Sequence, residues 1–536
     1  MTVENDSPKG DVETVIEVYE LHASASSGRA RRDHDQLARL GKKSVLKRHF
    51  SFMSILGFSC TVLITWEVTL IVYPQSLLNG GPAGVVYSFL VVWLGNACLF
   101  STLSELASLA PTSGGQYHWV SMLAPRSCAK FLSYVTGWLA LTGWQGITSS
   151  VGYLMGTTIQ GLIALTVPSY SPQPWQGTLL LCASVLLCVL VNGGGSSILP
   201  KIEGMILVLH ILGFCAFLIT LLTLANHNDV SPIFTTFYNG GGWPSQGLSF
   251  MVGLMGNVYA IVGVDSSFHM SEEVKNPSIT VPRSVMTSIA INGVAGFAMV
   301  IAILLAIDIN NIEAAITSRT GFPFMDLLLK VTGSMSGTAL LITIIIIMCA
   351  FCSIGVFASS SRVMWSFARD RGLPFWRHLS KVDPRTSVPL WAIAVTTVIS
   401  CLLALINIGS TIAFNVVVCL SVSGVYSSYL IVTVLLLYRR CTGALEISNP
   451  HVSDSSGKEL VWGPWHIPGV YGIINNVFAI AYLIIILIVS CFPPVIPVQA
   501  STMNYSSIIT GSVTIFSVVY YLGWARKVYQ GPIVEI

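Results

Sequence analysis

Charge is what this chain has least of. Of 536 residues, 10% are Asp, Glu, Lys or Arg and 53% are apolar, which leaves no room for a large water-exposed domain. A net charge of +3, with no concentrated basic face carrying interleaved aromatics, excludes the electrostatic footprint of a nucleic-acid partner. A phosphate-binding glycine-lysine loop, zinc-ligand spacing and a nucleophile elbow are missing too. No metal, no cofactor and no catalytic residue are therefore expected. His378-Leu-Ser-Lys-Val-Asp383 matches the His-x4-Asp pattern of acyltransferases, but it is short and no second catalytic cluster accompanies it.

What the chain has instead is length of apolar run. A helix needs about 20 apolar residues to cross roughly 30 Å of hydrocarbon. Twelve such spans are read near 51–73, 83–109, 129–165, 176–191, 201–225, 248–270, 285–307, 338–367, 389–406, 412–437, 470–492 and 507–525. All of the 27 basic residues except Arg319 and Lys330 fall on one side of this pattern, and positive residues near span ends stay cytoplasmic. Both termini are expected there. Residues 1–49 are polar, acidic from Glu4 to Glu20 and basic from Arg29 to Arg48, so they form no signal peptide and are expected as a disordered cytoplasmic tail beside anionic lipid. Residues 50–527 make one membrane domain, and 528–536 a second cytoplasmic tail. None of the 12 cysteines pairs with another in an outward loop, so a disulfide framework is not expected. Cys349 and Cys352 form a Cys-x-x-Cys inside an apolar helix, without a histidine or basic neighbour to hold a thiolate. Asn504-Tyr-Ser506 is a glycosylation sequon in an outward loop that abuts the last span, and Asn5-Asp-Ser7 one on the wrong side.

Polar punctuation inside the spans carries the functional signal, because hydrocarbon cannot satisfy a broken helix backbone. Span 1 contains Leu56-Gly-Phe-Ser-Cys-Thr61 followed by Trp66-Glu67; span 6 contains Gly253-Leu-Met-Gly256 and Tyr259-Ala-Ile-Val-Gly-Val-Asp265. These are corresponding positions of two five-helix halves, and interrupted helices so placed point to a midplane binding site in secondary transporters. Glycine as a close-packing residue is the plainer reading. Of the acidic residues only Glu67 and Asp265 lie well inside spans, while Glu105 and Glu203 sit toward inner ends. An intramembrane charge costs roughly 2.5–3.5 kcal/mol, so each needs a partner or a task. With no lysine or arginine at midplane depth, a cavity there offers acids, carbonyls and helix ends that suit an amine or quaternary ammonium. The alternatives are that Glu67 faces an outer vestibule and that Asp265 caps the inner half of span 6.

Longer motifs make a family resemblance specific. Ser104-Glu-Leu-Ala-Ser-Leu-Ala-Pro-Thr-Ser-Gly-Gly-Gln-Tyr-His-Trp119 resembles the amphipathic region between helices 2 and 3 of the amino acid-polyamine-organocation superfamily. Asp265 to Arg283, with Glu272-Glu-Val-Lys-Asn-Pro277, resembles its sixth-helix exit, and Phe367-Ala-Arg-Asp-Arg-Gly-Leu-Pro374 its loop after helix 8. Asn79-Gly-Gly-Pro-Ala-Gly84 is similar to the fungal branch that includes GABA and choline permeases. The resemblance runs from about residue 50 to the end.

It implies an all-α integral membrane fold of two inverted five-helix repeats, about 51–225 and 248–437, plus two extra helices about 470–525. It also implies alternating access and, usually, proton symport. By position, the unwound part of helix 1 would be Gly57, Phe58, Ser59, Cys60 and Thr61, whose amides hold a substrate carboxylate. That of helix 6 would run from about Ala260 through Val262 and Gly263 to Asp265, whose carbonyls hold an amine. Phe58-Ser-Cys60 stands where several glycines are usual in bacterial relatives, which puts an ordinary α-amino acid pose in doubt. Glu105, Gly114, Gly115, Glu272, Glu273, Asn276, Pro277 and Arg283 carry the family's structural and gating motifs. Gly321-Phe-Pro323 resembles the outer lid.

Trp66, Trp144, Tyr153, Tyr259 and Phe268 supply aromatic faces for a quaternary ammonium, unless they only pack. His210, in span 5, titrates near neutrality when unperturbed and joins Glu67 and Asp265 as a proton carrier; a neutral histidine bonded to a neighbouring helix is the alternative. The expectation is a plasma-membrane, proton-coupled importer of an amine-bearing solute, an amino acid such as GABA first and choline second. A vacuolar location or export of a specialised metabolite would leave the same sequence. A membrane-bound acyltransferase and a non-transporting nutrient receptor are the competing classes.

Overall fold

The computed structural model describes residues 33, 35–194, 197–409, 411–443, 445–446, 460–499 and 502–535. Helices build it. They are α1 (Phe52–Leu63), α2 (Thr65–Leu109), α3 (Gln116–Leu123), α4 (Ala129–Thr166), α5 (Pro174–Gly193), α6 (Ile198–Leu224), α7 (Gln246–Ala260), α8 (Ser266–His269), α9 (Pro277–Ala306), α10 (Pro323–Thr332), α11 (Met335–Arg369), α12 (Leu390–Gly409), α13 (Thr411–Cys441), α14 (Gly469–Val489) and α15 (Ser506–Tyr520). Among the described residues, nine stretches are helices long and apolar enough to cross a bilayer, counting Phe52–Leu109 as one. That stretch holds the first two expected spans. Gly81 divides it with φ 67, and a Cβ there would meet the Tyr238 backbone nitrogen at 2.6 Å, so both the left-handed conformation and the space require glycine. The expected spans at α4 and at α7–α8 are not in the apolar set. α4 buries Thr136, Gln145, Thr148, Ser149, Thr158 and Gln160 against other helices, and a helix wrapped in protein has no need of lipid-like surface.

α6 shows how sequence spacing chooses faces. Met205, Val208, Leu212 and Ile219 are exposed, whereas Glu203, Ile206, His210, Gly213 and Phe217 are buried. The second set recurs every three or four residues, one stripe of a helix. The apolar outer stripe suits lipid, and the inner one carries the ionisable groups. Where α1 meets α6, a Cβ on Gly57 would lie 2.4 Å from the Glu203 carbonyl oxygen, so this glycine sets how closely the two helices approach.

The described parts of the two tails pack together on one face of the bundle. Residues 1–32 and 34, with the Asn5 sequon, lie outside the described residues, and so does Lys458. The described part of the first tail is packed: Phe50 bridges Val274, Arg48 donates to the Val274 carbonyl at 3.0 Å, and Asp33 accepts from the Asn276 amide at 3.0 Å. Lys42 is buried against Asp370, and burial pulls its ammonium below the usual range despite that partner. The chain's other end crosses the same face. Tyr529 is buried with its hydroxyl 2.6 Å from Ser133, and the amides of Ile533 and Glu535 donate to Asp370 and to the Gly41 carbonyl at 2.9 and 2.7 Å. In the turn after α14, Asn504 donates to the carbonyls of Ser490 and Phe492 and accepts from Ser506, so the sequon asparagine is already engaged by the fold.

Candidate functional site

Two helices break against one cavity of about 780 Å³. Between α1 and α2 the break is a single residue, Ile64, at φ 35 and ψ 46, a left-handed conformation that is strained for a β-branched side chain. Neighbouring side chains satisfy the freed backbone groups: Asn292 on α9 accepts from the Thr65 amide at 3.3 Å, and the Cys352 thiol on α11 faces the Val62 carbonyl at 3.2 Å. Between α7 and α8 the chain turns over residues 261–265, with Gly263 at φ 97. Val62, Leu63, Ile64, Val262 and Gly263 line the cavity directly.

The first break therefore lies beyond the segment expected from the sequence. Gly57, Phe58, Ser59, Cys60 and Thr61 are helical and buried, and none of them lines the cavity. Their small or polar side chains pack and bond instead: Gly57 on α6, Phe58 edge-on to Phe50, Ser59 to Ser267 at 2.5 Å, and Thr61 donating to the Glu203 carboxylate. Small residues in a membrane helix mark close approach as readily as unwinding, which is why the pattern misplaced the break. At the second break Tyr259, Val262 and Gly263 line the cavity, while Ala260 and Asp265 are buried away from it.

The expected acids do not line the cavity either. Arg319 is the one charged residue among the described lining residues. Glu67 is fully buried with one carboxylate oxygen 2.8 Å from His210 Nδ1, because its face of α2 points to α6. Asp265 accepts from Gln116 Nε2 at 2.9 Å and Trp144 Nε1 at 3.1 Å and lies 3.3 Å from His269 Nε2; these bonds turn it toward α3 and α4. Of the aromatics singled out, Tyr153 and Tyr259 line the cavity, whereas Trp66, Trp144 and Phe268 are packed elsewhere.

One acid was underrated. Glu203 lies seven residues, two turns, before His210 on the buried stripe of α6, a spacing that the sequence already displays. Thr61 donates to one of its oxygens, and the other has no hydrogen-bond partner among the described residues. Glu67 Oε2 and His210 Nε2 are likewise unpartnered there. α6 thus holds the chain on both sides of Ile64, through Glu203–Thr61 before the break and His210–Glu67 after it.

On the face where the described parts of the two tails meet, buried ion pairs join the helix ends. Glu272 accepts both forks of Arg369 at 2.9 and 2.7 Å and the Ser113 amide at 3.1 Å, and Glu273 accepts from Arg362 at 2.9 Å. Burial alone would push the Glu272 carboxyl up, but the Arg369 guanidinium and these bonds hold it below the usual range. Asn276 enters α9 at φ 50 with Pro277 in the first turn, a helix start that proline suits, and Arg283 is exposed. Gly115, at φ 52, opens α3, and a Cβ on Gly114 would press on the Tyr117 ring. Glu105 ties α2 to the end of α13 through Arg440 at 2.6 Å and accepts from the Ile467 amide at 2.7 Å. His378 and Asp383 show no joint chemistry: the histidine edges onto Trp391, and the carboxylate caps the amides of Arg385 and Thr386.

Comparison with known proteins agrees with this architecture. The model of the amino acid permease family matches residues 50–513. A choline transporter of Saccharomyces cerevisiae is 30% identical over 90% of this chain and 83% of its own length. A putative amino acid/polyamine transporter of Macrophomina phaseolina is 29% identical over 84% and 97% of the two chains, and the amino-acid permease BAT1 of Arabidopsis thaliana 26% identical over 94% and 96%. Such relatives are permeases and transporters, not enzymes. A multi-pass, all-α chain whose helices break around a shared cavity, matched over nearly its whole length by one family model, is a member of the amino acid permease family and a transporter of amino acids or organocations.

Proposed function

We propose that this transporter imports a small amine-bearing solute across the plasma membrane by proton symport, with both termini cytoplasmic. The observation that carries the reading is the meeting of two helix breaks at one cavity. The cavity runs from those breaks to loop residues Pro172 and Phe322, on the side with few basic residues, while ion pairs close the other side. This arrangement suits an outward-facing state.

The lining favours a particular nitrogen. With no carboxylate among the described lining residues, a primary ammonium entering from water loses hydrogen bonds and finds no counter-ion. A quaternary ammonium donates no hydrogen bonds and is held by aromatic faces and carbonyl dipoles, worth about 2 kcal/mol when desolvated. Tyr153 and Tyr259 supply the faces and the two breaks supply the dipoles. Choline therefore moves ahead of GABA as the solute, and the choline transporter among the relatives supports the same order. Coupling is assigned to α6: a proton reaching the Glu67–His210 pair, or the free oxygen of Glu203, changes how this helix grips the chain on either side of Ile64.

The test is uptake of labelled choline, GABA, polyamines and common amino acids by proteoliposomes at external pH of about 5 and about 7. The proposal expects choline to be taken up, faster at the acidic pH, with a proton gradient sufficient to drive accumulation. Uptake of GABA alone would overturn the substrate order, and accumulation indifferent to the gradient would overturn symport.

A further inference from the structure

We propose that the face carrying the termini holds a binding site for a phosphate monoester, formed by Lys47, Arg369 and Arg371. Its placement at the cytoplasmic membrane surface rests on the orientation proposed above; the chemistry of the site does not.

A cavity of about 740 Å³ lies between the segment around Lys47, the end of α11, the loop that follows, and Ile533 and Glu535 of the C-terminal strap. Arg369 is buried and spends Nη1 and Nη2 on Glu272, but its Nε–H has no hydrogen-bond partner among the described residues. A buried unmet guanidinium donor is costly and asks for an acceptor. Glu535, one of two acids lining the cavity, stands 4.0 Å from that nitrogen, too far to bond, and its other oxygen accepts from the Lys43 amide. The second acid of the cavity, Asp383, is consumed by the amides of Arg385 and Thr386 and the Thr386 hydroxyl. Lys47 and Arg371 are exposed and in no ion pair among the described residues. Trp365 and Trp376 lie under the guanidinium groups of Arg369 and Arg371 at 4.4 and 4.9 Å, contacts that restrain both side chains where they line the cavity.

Glu535 is thus an internal carboxylate placed where a stronger anion fits. A phosphate monoester carries about −1.5 to −2 charge and three acceptor oxygens, enough to meet the Arg369 Nε–H and the Arg371 fork together. Phe375, 81% exposed, and Trp391, 53% exposed, flank the same loop, and large apolar and aromatic side chains of this kind settle at headgroup depth. The monoester can come from an inner-leaflet lipid headgroup or from a soluble inositol phosphate; both present the same group. Because Arg369 also holds Glu272, the occupant and the gate share one guanidinium.

The full-length protein in nanodiscs is titrated with phosphatidylinositol 4-phosphate, with phosphatidylinositol as control, and bound lipid is counted by native mass spectrometry. The proposal expects the phosphorylated lipid to be retained over the control. It expects the exposed double substitution Lys47→Gln/Arg371→Gln to weaken retention about tenfold or more, with thermal unfolding unchanged. Glu535→Gln, which removes the competing carboxylate, should tighten it. Competition by soluble inositol 1,4-bisphosphate at equal concentration would support the site with a soluble source, and its absence would support a lipid source. Equal retention of both lipids, or an unchanged affinity in the double variant, would overturn the proposal. No transport is read in this assay, so failure of the choline proposal leaves it standing.

Discussion

Two ends of this bundle are built from opposite materials. Toward the loops around Pro172 and Phe322 lies a cavity whose described lining holds one charged residue, Arg319. On the face where the described parts of the two tails meet, Glu272–Arg369, Glu273–Arg362 and Lys42–Asp370 are buried ion pairs. The difference lies in what each must do. A cavity that admits a solute and then releases it has to bind weakly, and an ion pair inside it would hold a charged solute too well. The transport cycle proposed above needs a gate that is shut in one state and open in another, and buried ion pairs have that two-state character: desolvation and pairing nearly cancel while both partners are present, and the balance is lost when one leaves.

Breaking that contrast at the gate should have the largest effect. Glu272→Ala strands the Arg369 guanidinium in a buried site and is expected to cost about 3–5 kcal/mol, read as a lower unfolding temperature and as reactivity of an engineered cysteine on the terminal face. If Arg369→Met in the same chain restores nothing, the pair is not the clasp described here. Behind the cavity, where α2 meets α6, Glu67→Gln and His210→Ala remove one partner of a buried bond, and a loss of about 1–3 kcal/mol should appear as slower uptake whose dependence on external pH is flattened. Unchanged pH profiles in both would remove α6 from the coupling. Within the cavity, Tyr259→Leu is expected to weaken quaternary ammonium transport by about 1–2 kcal/mol, seen as a KM raised roughly 5- to 30-fold with kcat little altered.

The smallest effect expected is one of pH. The Glu272 carboxyl is held below its ordinary value of 4.5, so its pairing contributes fully above that value and is lost as pH falls through the lower folded one. The difference in unfolding temperature between wild type and Glu272→Ala should be constant from about pH 5 to 8 and shrink below about pH 4. A difference that already shrinks near neutrality would mean that Arg369 does not hold the carboxylate.

Much of this was legible in the residues. That the chain crosses a membrane many times follows from apolar length, though the expected spans at α4 and at α7–α8 are not among the apolar helices of the described residues. The existence of a break in the first span was also legible, from polar residues where hydrocarbon should be. Its location was not. Gly57 to Thr61 look like the break because small residues are compatible with unwinding, but they serve packing against α6, and the left-handed residue is Ile64, which no propensity would choose. Glu67 and Asp265 were singled out correctly as costly groups needing partners, yet the partners, His210 on α6 and Gln116 and Trp144 on α3 and α4, are distant in sequence. Their directions, away from the cavity, depend on helix rotation that a one-dimensional pattern does not encode.

The amino-acid sequence by itself determined that this protein crosses a membrane many times, that its polar groups inside the spans need partners, and which family motifs it carries, because apolar length and the cost of burying charge act residue by residue. Only the tertiary structure decided that no acid is among the described residues lining the cavity, that the left-handed Ile64 sits between two contacts with α6, and that the segments around Lys42 and Ile533 meet at Asp370. Those facts depend on which faces of distant helices are brought together, and that is set by packing across the whole bundle.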